Sequence, residues 1–326
     1  MKRARFAGKL KPMRGVYFDG ERLGLRTDLP RPEPRGGEVV ARVRRAGICE
    51  TDLQIARGYM GFSGILGHEF VAEIAGGRRV VADINHACGE CETCRAGMSG
   101  HCPRRTVLGI LGRDGAMADF VRLGELNLHE VPDAVDDVAA VFIEPLAAAF
   151  RVPEQVEMGP STRVAVLGDG KLGILCAWVA RLTGAEVTLV GKHASKLALA
   201  GEGVATLTLA EVDGLARRCD VVIEATGSTS GLPTALGLVR PRGAVVLKTT
   251  VAGEHATTLA PVVIDEIRVI GSRCGPFPKA IDALARGLID VTPLVGATYS
   301  LDDAEAAFAA AGTKGALKVI LEINSR

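Results

Sequence analysis

The feature that most constrains the fold is a regular alternation of apolar strands with helical stretches beyond residue 144. The segment RVAVLGDGKLG from Arg163 indicates a buried strand, a glycine turn and the start of a helix. Further continuous apolar strands are predicted to begin near Glu186, Asp220, Ala244 and Arg268. Strands that are apolar throughout are buried on both faces, so the pattern predicts an α/β fold with a doubly wound parallel sheet.

The chain before this region has a different texture, rich in glycine, proline and short β-like runs. VVARVRRAG from Val39 partly alternates, and FVAEIAGGRRVVADI from Phe70 indicates two strands joined by Gly76 and Gly77. An alanine-rich helix from Asp302 and a final strand LKVILEI close the sequence. We expect a mainly β domain at 1–147, an α/β domain at 148–288 and a return to the first domain at 289–326, and we interpret the basic residues before Met13 as an extension.

Composition limits the partners and the compartment. The chain has 326 residues, with 39 Lys and Arg against 38 Asp and Glu, so its formal charge is +1. A balanced charge gives no reason to expect a nucleic-acid partner. No apolar run approaches the roughly 20 residues that span a bilayer, and the basic N-terminus lacks the apolar core of a secretory signal. We therefore expect a cytoplasmic protein without membrane or nucleic-acid partners.

Four of the eight cysteines form a compact motif, CGECETCRAGMSGHC, with Cys88, Cys91, Cys94 and Cys102. Short Cys-x-x-Cys turns let thiolates converge on one tetrahedral ion, and four sulfur ligands leave no position for a substrate. The motif predicts a structural zinc site. An iron–sulfur cluster and a pair of disulfides are the alternatives. We interpret Cys176, Cys219 and Cys274 as packing residues.

The segment GDGKLG predicts a dinucleotide-binding turn. It supplies Gly168, Gly170 and Gly173 directly after a strand, and Lys171 and Leu172 open the helix. Glycines allow the backbone to approach a pyrophosphate closely, and a helix N-terminus favours its negative charge. The strand–turn–helix context makes this motif far more specific than GxGxxG alone; an ordinary glycine turn is the alternative.

The end of the next strand bears on which nicotinamide cofactor is bound. An acidic residue about 20 positions on would bind the ribose 2′-hydroxyl of NAD. Here EVTLV ends in Gly191, Lys192 and His193, with Lys196 following and no acidic residue at that strand end. Cations at this place neutralise a 2′-phosphate, so we expect NADP(H) to be favoured over NAD(H). The alternative is that Lys192 and His193 only cap a solvated turn.

Several shorter motifs follow one another in a recognisable order. GICETD contains Cys49 and Thr51, GHE contains His68 and Glu69, and IEPLA contains Glu144. With the cysteine loop, GDGKLG, EATG and the closing GALKVIL, this order resembles the medium-chain dehydrogenase/reductase superfamily, in its zinc-dependent alcohol dehydrogenase branch. The resemblance runs from about Met13 to the end. It implies a Rossmann domain inserted in a GroES-like, mainly β catalytic domain, in a homodimer or homotetramer.

The resemblance also implies roles for individual residues. Cys49, His68 and Glu144 would hold a catalytic zinc, with Glu69 as an exchangeable or outer ligand and Asp52 orienting His68 from behind. Thr51 would contact the alcohol oxygen and pass its proton outward. Thr226 and Lys248 match positions that line the nicotinamide half of the cofactor, and Lys318 matches a basic residue directed at the pyrophosphate.

The chain departs from the liver-type members at Glu144, where those members have Cys. The polyol, sugar and threonine dehydrogenase branch shares Glu there. Gln54 stands where some liver-type members have a relay histidine, which leaves the outer end of the proton path open. The expected activity is hydride transfer between a secondary alcohol, such as a polyol, sugar or cyclitol, and NAD(P). A zinc-free quinone or enoyl reductase and a non-catalytic NADP-binding module are the alternatives.

Overall fold

The computed structural model describes residues 11–250 and 257–324. These residues form two compact units. One contains the chain up to Pro132, with Ala297–Gly312 and the segment from Val319; the other contains Asp133–Gly296 and Thr313–Lys318. The expected N-terminal extension lies almost wholly outside the described residues, and the domain boundaries at residues 147 and 288 stay predictions.

Short strands dominate the chain up to Pro132. The strands are β1 (Met13–Phe18), β2 (Leu23–Leu29), β3 (Glu38–Ile48), β4 (Gly64–Ile65), β5 (Glu69–Ile74), β6 (Arg78–Ala82), β7 (Asn85–His86), β8 (Thr106–Leu108), β9 (Gly112–Arg113), β10 (Phe120–Gly124) and β11 (Leu128–Glu130). The α-helices here are α1 (Glu50–Ile55) and α2 (Glu92–Arg95).

Helices and strands alternate in the rest of the chain. The helices are α3 (Asp137–Val141), α4 (Ile143–Gln155), α5 (Lys171–Leu182), α6 (Ala194–Leu197), α7 (Gly231–Leu238), α8 (Ala260–Ile264), α9 (Phe277–Ala285) and α10 (Ala304–Ala311). The strands are β12 (Arg163–Leu167), β13 (Glu186–Gly191), β14 (Ala205–Thr208), β15 (Cys219–Glu224), β16 (Val239–Leu247), β17 (Arg268–Gly271), β18 (Val295–Ser300) and β19 (Lys318–Glu322). Within the described ranges, no helix is both long and apolar enough to cross a bilayer.

The larger sheet of the first unit is built around β3. Its strand order is β11-β6-β5-β3-β19-β18, and β10 also pairs with β3. The antiparallel register places Gly47 of β3 opposite Glu69 of β5, and Ile48 opposite Val319 of β19. The residue after β3 therefore lies beside the residue before β5, and both positions carry candidate metal ligands.

The sheet of the second unit is parallel, with the order β14-β13-β12-β15-β16-β17. Counted from β12, this is the order 3-2-1-4-5-6 of a doubly wound dinucleotide-binding fold. Leu167 pairs with Val190 on one side and with Glu224 on the other. The turns after β12, β13 and β15 therefore share the carboxyl edge of the sheet, where such folds bind their ligands.

The structure confirms the predicted doubly wound sheet and adds one strand to it. The sequence ATLT of β14 was not predicted, because it is short and none of its residues is buried. It forms one edge of the sheet beside β13. The central strands β12 and β15 are buried over nearly their whole length, which agrees with their continuous apolar sequence.

Candidate functional site

Three candidate metal ligands converge in the first unit. Cys49 follows β3 directly, and His68 and Glu69 stand at the start of β5. Because Gly47 and Glu69 are paired, the sheet register itself brings these segments together. One ligand atom from each of the three residues lies within 4.8 Å of the others. His68 and Glu69 are 4% and 1% exposed, so the group is largely shielded from water.

A buried carboxylate, Asp52, connects two of these ligands. Cys49 is the N-cap of α1, and its backbone N–H donates to Asp52 Oδ2 at 2.8 Å. The other oxygen, Oδ1, lies 3.4 Å from His68 Nδ1. With Nδ1 facing Asp52, Nε2 is the ring nitrogen left for a metal ion. This is the outer-ligand arrangement that orients metal-binding histidines.

The electrostatics of this group favour a cation. Burial lowers the pKa of His68, but the charges of Asp52 and Cys49 raise it by more than burial lowers it. The pKa of His68 is therefore well above its usual value. Among the described residues, neither Asp52 Oδ1 nor His68 Nδ1 makes a well-directed hydrogen bond. A thiolate, an imidazole and a carboxylate in one buried spot form a ligand set that suits zinc. The residues present therefore fit a catalytic zinc ion.

Thr51 and Gln54 lie on the same short helix, α1. Thr51 Oγ1 is 3.8 Å from Cys49 Sγ, so a hydroxyl accompanies the ligand group. The side chain of Gln54 donates to Glu50 Oε1 at 2.8 Å, an i, i+4 pair along the helix. Thr51 therefore lies beside a candidate metal ligand, and its proton-transfer role stays a prediction. Gln54 donates to a neighbouring carboxylate instead.

Glu144, the predicted third ligand, belongs to the second unit. It lies in the first turn of α4, where its negative charge suits the helix N-terminus. Burial lowers the pKa of Lys248, and the charge of Glu144 is among those that partly oppose this shift. The ligand role of Glu144 stays a prediction.

The cysteine loop has the geometry of a single-ion site. The four Sγ atoms are separated by 3.4–3.8 Å along the four contacts that join neighbouring cysteines. A Zn–S bond of about 2.3 Å in a tetrahedron gives an S···S edge of about 3.8 Å. A disulfide would need about 2.05 Å, and all eight cysteines are free thiols. The sulfur positions therefore fit one tetrahedral ion better than two disulfides.

The backbone of this loop prepares it for thiolates. Hydrogen bonds from the Glu90 and Cys91 backbone lower the pKa of Cys88 to about 6, although burial opposes them. Cys91 also has a lowered pKa, with the backbone of Cys94 as the main cause. Metal ligation needs deprotonated sulfur, so these donors favour the metal-bound form at Cys88 and Cys91, whereas burial and the neighbouring thiols raise the pKa of Cys94.

The predicted dinucleotide turn joins β12 to α5. Gly168 has a φ of +116°, which L side chains rarely adopt. A Cβ at Gly173 would run into the carbonyl oxygen of Gly168, so that position admits only glycine. A Cβ at Gly170, in contrast, would meet nothing within 4 Å. Gly170 is also the N-cap of α5, so open space lies at a helix N-terminus, as a pyrophosphate site requires.

The end of β13 corrects one sequence inference. No acidic residue occupies position 191, as expected, but a carboxylate is present there nonetheless. Asp169 reaches over from the glycine turn and accepts the backbone N–H groups of Lys192 and His193, both at 2.7 Å. The only sequence feature that could have indicated this carboxylate is the acidic residue inside GDGKLG. Its position could not be predicted, because a contact between two loops 23 residues apart produces no periodic pattern in the sequence.

The remaining predicted cofactor residues are engaged within the protein. Thr226 Oγ1 donates to the buried Glu224 at 2.6 Å. Lys248 Nζ donates to the Ala148 carbonyl at 2.7 Å, with Ser272 Oγ and the Arg273 carbonyl at 3.3 and 3.4 Å. Lys318 is 1% exposed, and its ammonium lies 5.7 Å from the centre of the Phe142 ring. Their contacts with a cofactor stay predictions.

Comparison with known proteins identifies both halves of the chain. Residues 35–133 match the family model of the alcohol dehydrogenase GroES-like domain, and residues 172–286 match that of the zinc-binding dehydrogenases. An L-threonine 3-dehydrogenase of Streptomyces coelicolor is 32% identical, over 90% of this chain and 94% of the relative. A sorbitol dehydrogenase of Bacillus subtilis is 28% identical, over 85% and 87% of the two chains.

Solved structures agree with these matches. A zinc-binding dehydrogenase of Sinorhizobium meliloti bound to NADP has a TM-score of 0.87 and 28% identity, covering 96% of this chain and all of the other. An Escherichia coli alcohol dehydrogenase in complex with NADH has the same TM-score with 26% identity, covering 96% and 99%. The chain therefore belongs to the zinc-dependent alcohol dehydrogenases of the medium-chain dehydrogenase/reductase superfamily, and it is an NAD(P)-dependent oxidoreductase.

Proposed function

We propose that this enzyme oxidises a secondary alcohol on a polyol, sugar or cyclitol-like substrate and passes the hydride to NAD(P)+. The observation that carries the proposal is the buried group of Cys49, His68 and Glu69, with Asp52 behind it. The names of the relatives support the substrate class, since threonine and sorbitol both carry a secondary hydroxyl group. Glu144 supports it further, through the resemblance to the same branch.

Each residue of the site has a distinct task in this proposal. Cys49, His68 and Glu144 would hold zinc, and Glu69 would serve as an exchangeable or outer ligand. A bound zinc supplies Lewis acidity that lowers the pKa of an alcohol oxygen. Asp52 keeps His68 Nε2 aimed at the ion by facing Nδ1. Thr51 would hydrogen-bond the alcohol oxygen, take its proton at Oγ1 and release its own proton outward.

The cofactor would bind along the carboxyl edge of the parallel sheet. Gly168, Gly170 and Gly173 give the backbone room for a pyrophosphate at the N-terminus of α5, next to Lys171 and Leu172. We propose that NADP(H) is favoured over NAD(H). Lys192, His193 and Lys196 follow Gly191, and the carboxylate of Asp169 lies among them. The two positive charges of the lysines exceed the one negative charge of Asp169.

The cysteine loop and the oligomeric state complete the proposal. Cys88, Cys91, Cys94 and Cys102 would bind a second, structural zinc ion. We also propose a homodimer or homotetramer. Leu259, Val263 and Ile264 at α8 are 63%, 75% and 78% exposed, and apolar side chains exposed together commonly mark a protein contact.

The test of the proposal is the variant Glu144→Ala. Losing a ligand should lower the total zinc content from about two ions to about one ion per chain and abolish most turnover. Metal analysis and the rate of NADPH or NADH formation over a panel of polyols and sugars measure both effects. Glu154→Ala on the same helix is the matched control, since Glu154 pairs with Arg151 and Lys279 at the surface.

Three outcomes would contradict the proposal. Full activity with two retained zinc ions in Glu144→Ala would refute the ligand role of Glu144. A wild-type protein that holds one zinc ion and reduces quinones or enones, with no alcohol turnover, would instead indicate the reductase that lacks a catalytic zinc. Cofactor binding without any turnover would indicate a non-catalytic module.

A further inference from the structure

The acidic group at the ribose end of the predicted cofactor site comes from an unexpected place. In dinucleotide-binding folds, the residue that reads the 2′ substituent stands at the end of the second strand. That strand is β13 here, and it ends in Gly191. Asp169, in the first glycine turn, fills the role of a carboxylate at this position without standing on the strand.

The space between positions 169 and 191 has room for a side chain at only one of the two positions. A Cβ built on Gly191 would lie 2.5 Å from the Asp169 Cβ and 2.6 Å from its Oδ2. The Asp169 carboxylate therefore occupies the place where a side chain at position 191 would begin. An aspartate at 191 and an aspartate at 169 exclude each other sterically, so the carboxylate has effectively moved from the strand to the turn.

The carboxylate is anchored among the cations on which the NADP prediction relied. Oδ2 of Asp169 accepts from two backbone N–H groups and lies 2.9 Å from His193 Nδ1, and Oδ1 lies 3.4 Å from Lys196 Nζ. Burial raises the pKa of Asp169, but hydrogen bonds from His193 and Lys192 lower it below its usual value. Asp169 is therefore negatively charged at neutral pH and offsets the charge of Lys196.

We propose that Asp169 is a specificity-determining residue for the 2′ position of the cofactor ribose, and that its charge limits the preference for a 2′-phosphate. The inference rests on the proposed use of NAD(P). Asp169 acts in two ways: it neutralises Lys196, and it repels a phosphate placed beside it. The enzyme consequently discriminates less between NADP(H) and NAD(H) than its two lysines alone would allow.

The test compares two fragments that differ at the 2′ position, 2′,5′-ADP and 5′-AMP. Their dissociation constants are measured by titration calorimetry on the zinc-loaded full chain. The variant Asp169→Asn keeps the size and an acceptor oxygen but removes the charge. We expect it to strengthen binding of 2′,5′-ADP relative to 5′-AMP by about tenfold or more. Asp282→Asn on α9 removes an equal charge at the surface and should leave the ratio unchanged.

A transplant variant tests whether the position of the charge matters. Asp169→Gly with Gly191→Asp returns the carboxylate to the strand and relieves the steric conflict. We expect its fragment ratio to return to the wild-type value or below. Lys196→Gln is a further variant that leaves Asp169 in place, and it should weaken 2′,5′-ADP binding selectively.

The proposal is overturned if Asp169→Asn, with an unfolding temperature near the wild-type value, leaves the fragment ratio unchanged or shifts it toward 5′-AMP. If that variant does not fold, an unchanged ratio in Lys196→Gln overturns it. Fragment binding requires no hydride transfer. If the expected ratio shift occurs while no alcohol supports turnover, the dehydrogenase proposal fails and the assignment of Asp169 stands.

Discussion

Asp52 shows how one buried side chain organises a candidate active site. It caps the first turn of α1 through the Cys49 N–H and faces His68 Nδ1 with its other oxygen. The same carboxylate thus holds the backbone of one candidate metal ligand and faces the ring of another. Asp52 is fully buried, so water screens its charge little.

Replacing Asp52 with Asn should therefore weaken zinc binding more than it weakens the fold. The amide oxygen can still accept the Cys49 N–H, but the charge that supports His68 is lost. An amide N–H donated to Nδ1 also forces the proton of a neutral imidazole onto Nε2, where it blocks the metal. We expect zinc affinity to fall roughly 10–100-fold, measured by competition with a chelator.

Glu50→Gln is the control for that experiment. Glu50 lies in the same first turn but is exposed and contacts Gln54. Its zinc affinity should stay at the wild-type level. Equal zinc affinity in the Asp52→Asn and wild-type enzymes would show that Asp52 does not support the metal site.

The dinucleotide turn shows which structural features of one local element can be predicted from its sequence. GDGKLG predicted the strand, the turn and the helix, and the structure shows a steric requirement for glycine at Gly168 and Gly173 and open space at Gly170. The four cysteines were equally readable, since ligand spacing within one loop is written in the sequence. The position of Asp169 could not be predicted from the sequence, because it depends on a contact between two loops. Strand β14 could not be predicted either, because it is a short, half-exposed edge strand.

Alanine at two positions of this turn should separate folding from cofactor binding. Gly173→Ala forces a Cβ against the Gly168 carbonyl, so we expect a marked loss of stability together with lost binding. Gly170→Ala meets no protein atom within 4 Å, so it should fold normally. Its methyl group would lie in the open space proposed for the pyrophosphate, and we expect at least about tenfold weaker binding.

Urea unfolding and titration of NADP+ measure the two effects. Gly170→Ala with wild-type affinity would place the pyrophosphate elsewhere. Gly173→Ala with wild-type stability would show that the turn adjusts at low cost.

The folded structure of the cysteine loop should depend on its metal ion. Cys102→Ser is expected to remove about one zinc ion per chain and to expose the loop, because α2 and its neighbouring turns contain little buried apolar surface. Faster cleavage by trypsin, with Arg95 inside the loop as a site, reports the change. Cys219→Ser is the control, since Cys219 is a buried residue of β15. Retention of all zinc in Cys102→Ser would contradict the assignment.

At the scale of the whole molecule, the chain leaves the first unit, builds the second and returns. The returning strand β19 pairs with β3, where Val319 lies opposite Ile48, one residue before Cys49. The strand β19 therefore supports the strand that directly precedes the candidate metal ligand Cys49. The composition of the two regions and the order of the motifs predicted this arrangement, because buried parallel strands and alternating antiparallel strands differ in composition. Neither indicates whether Glu144 binds the same zinc ion as Cys49 and His68, which stays a prediction.

The measurement that addresses this most directly is the anomalous diffraction of zinc in crystals of the wild-type enzyme. We expect two zinc peaks per chain. One should lie among the four loop cysteines, and the other about 2.0–2.3 Å from Cys49 Sγ, His68 Nε2 and a Glu144 oxygen. A single peak in the cysteine loop, with no density between Cys49 and His68, would contradict the catalytic metal site.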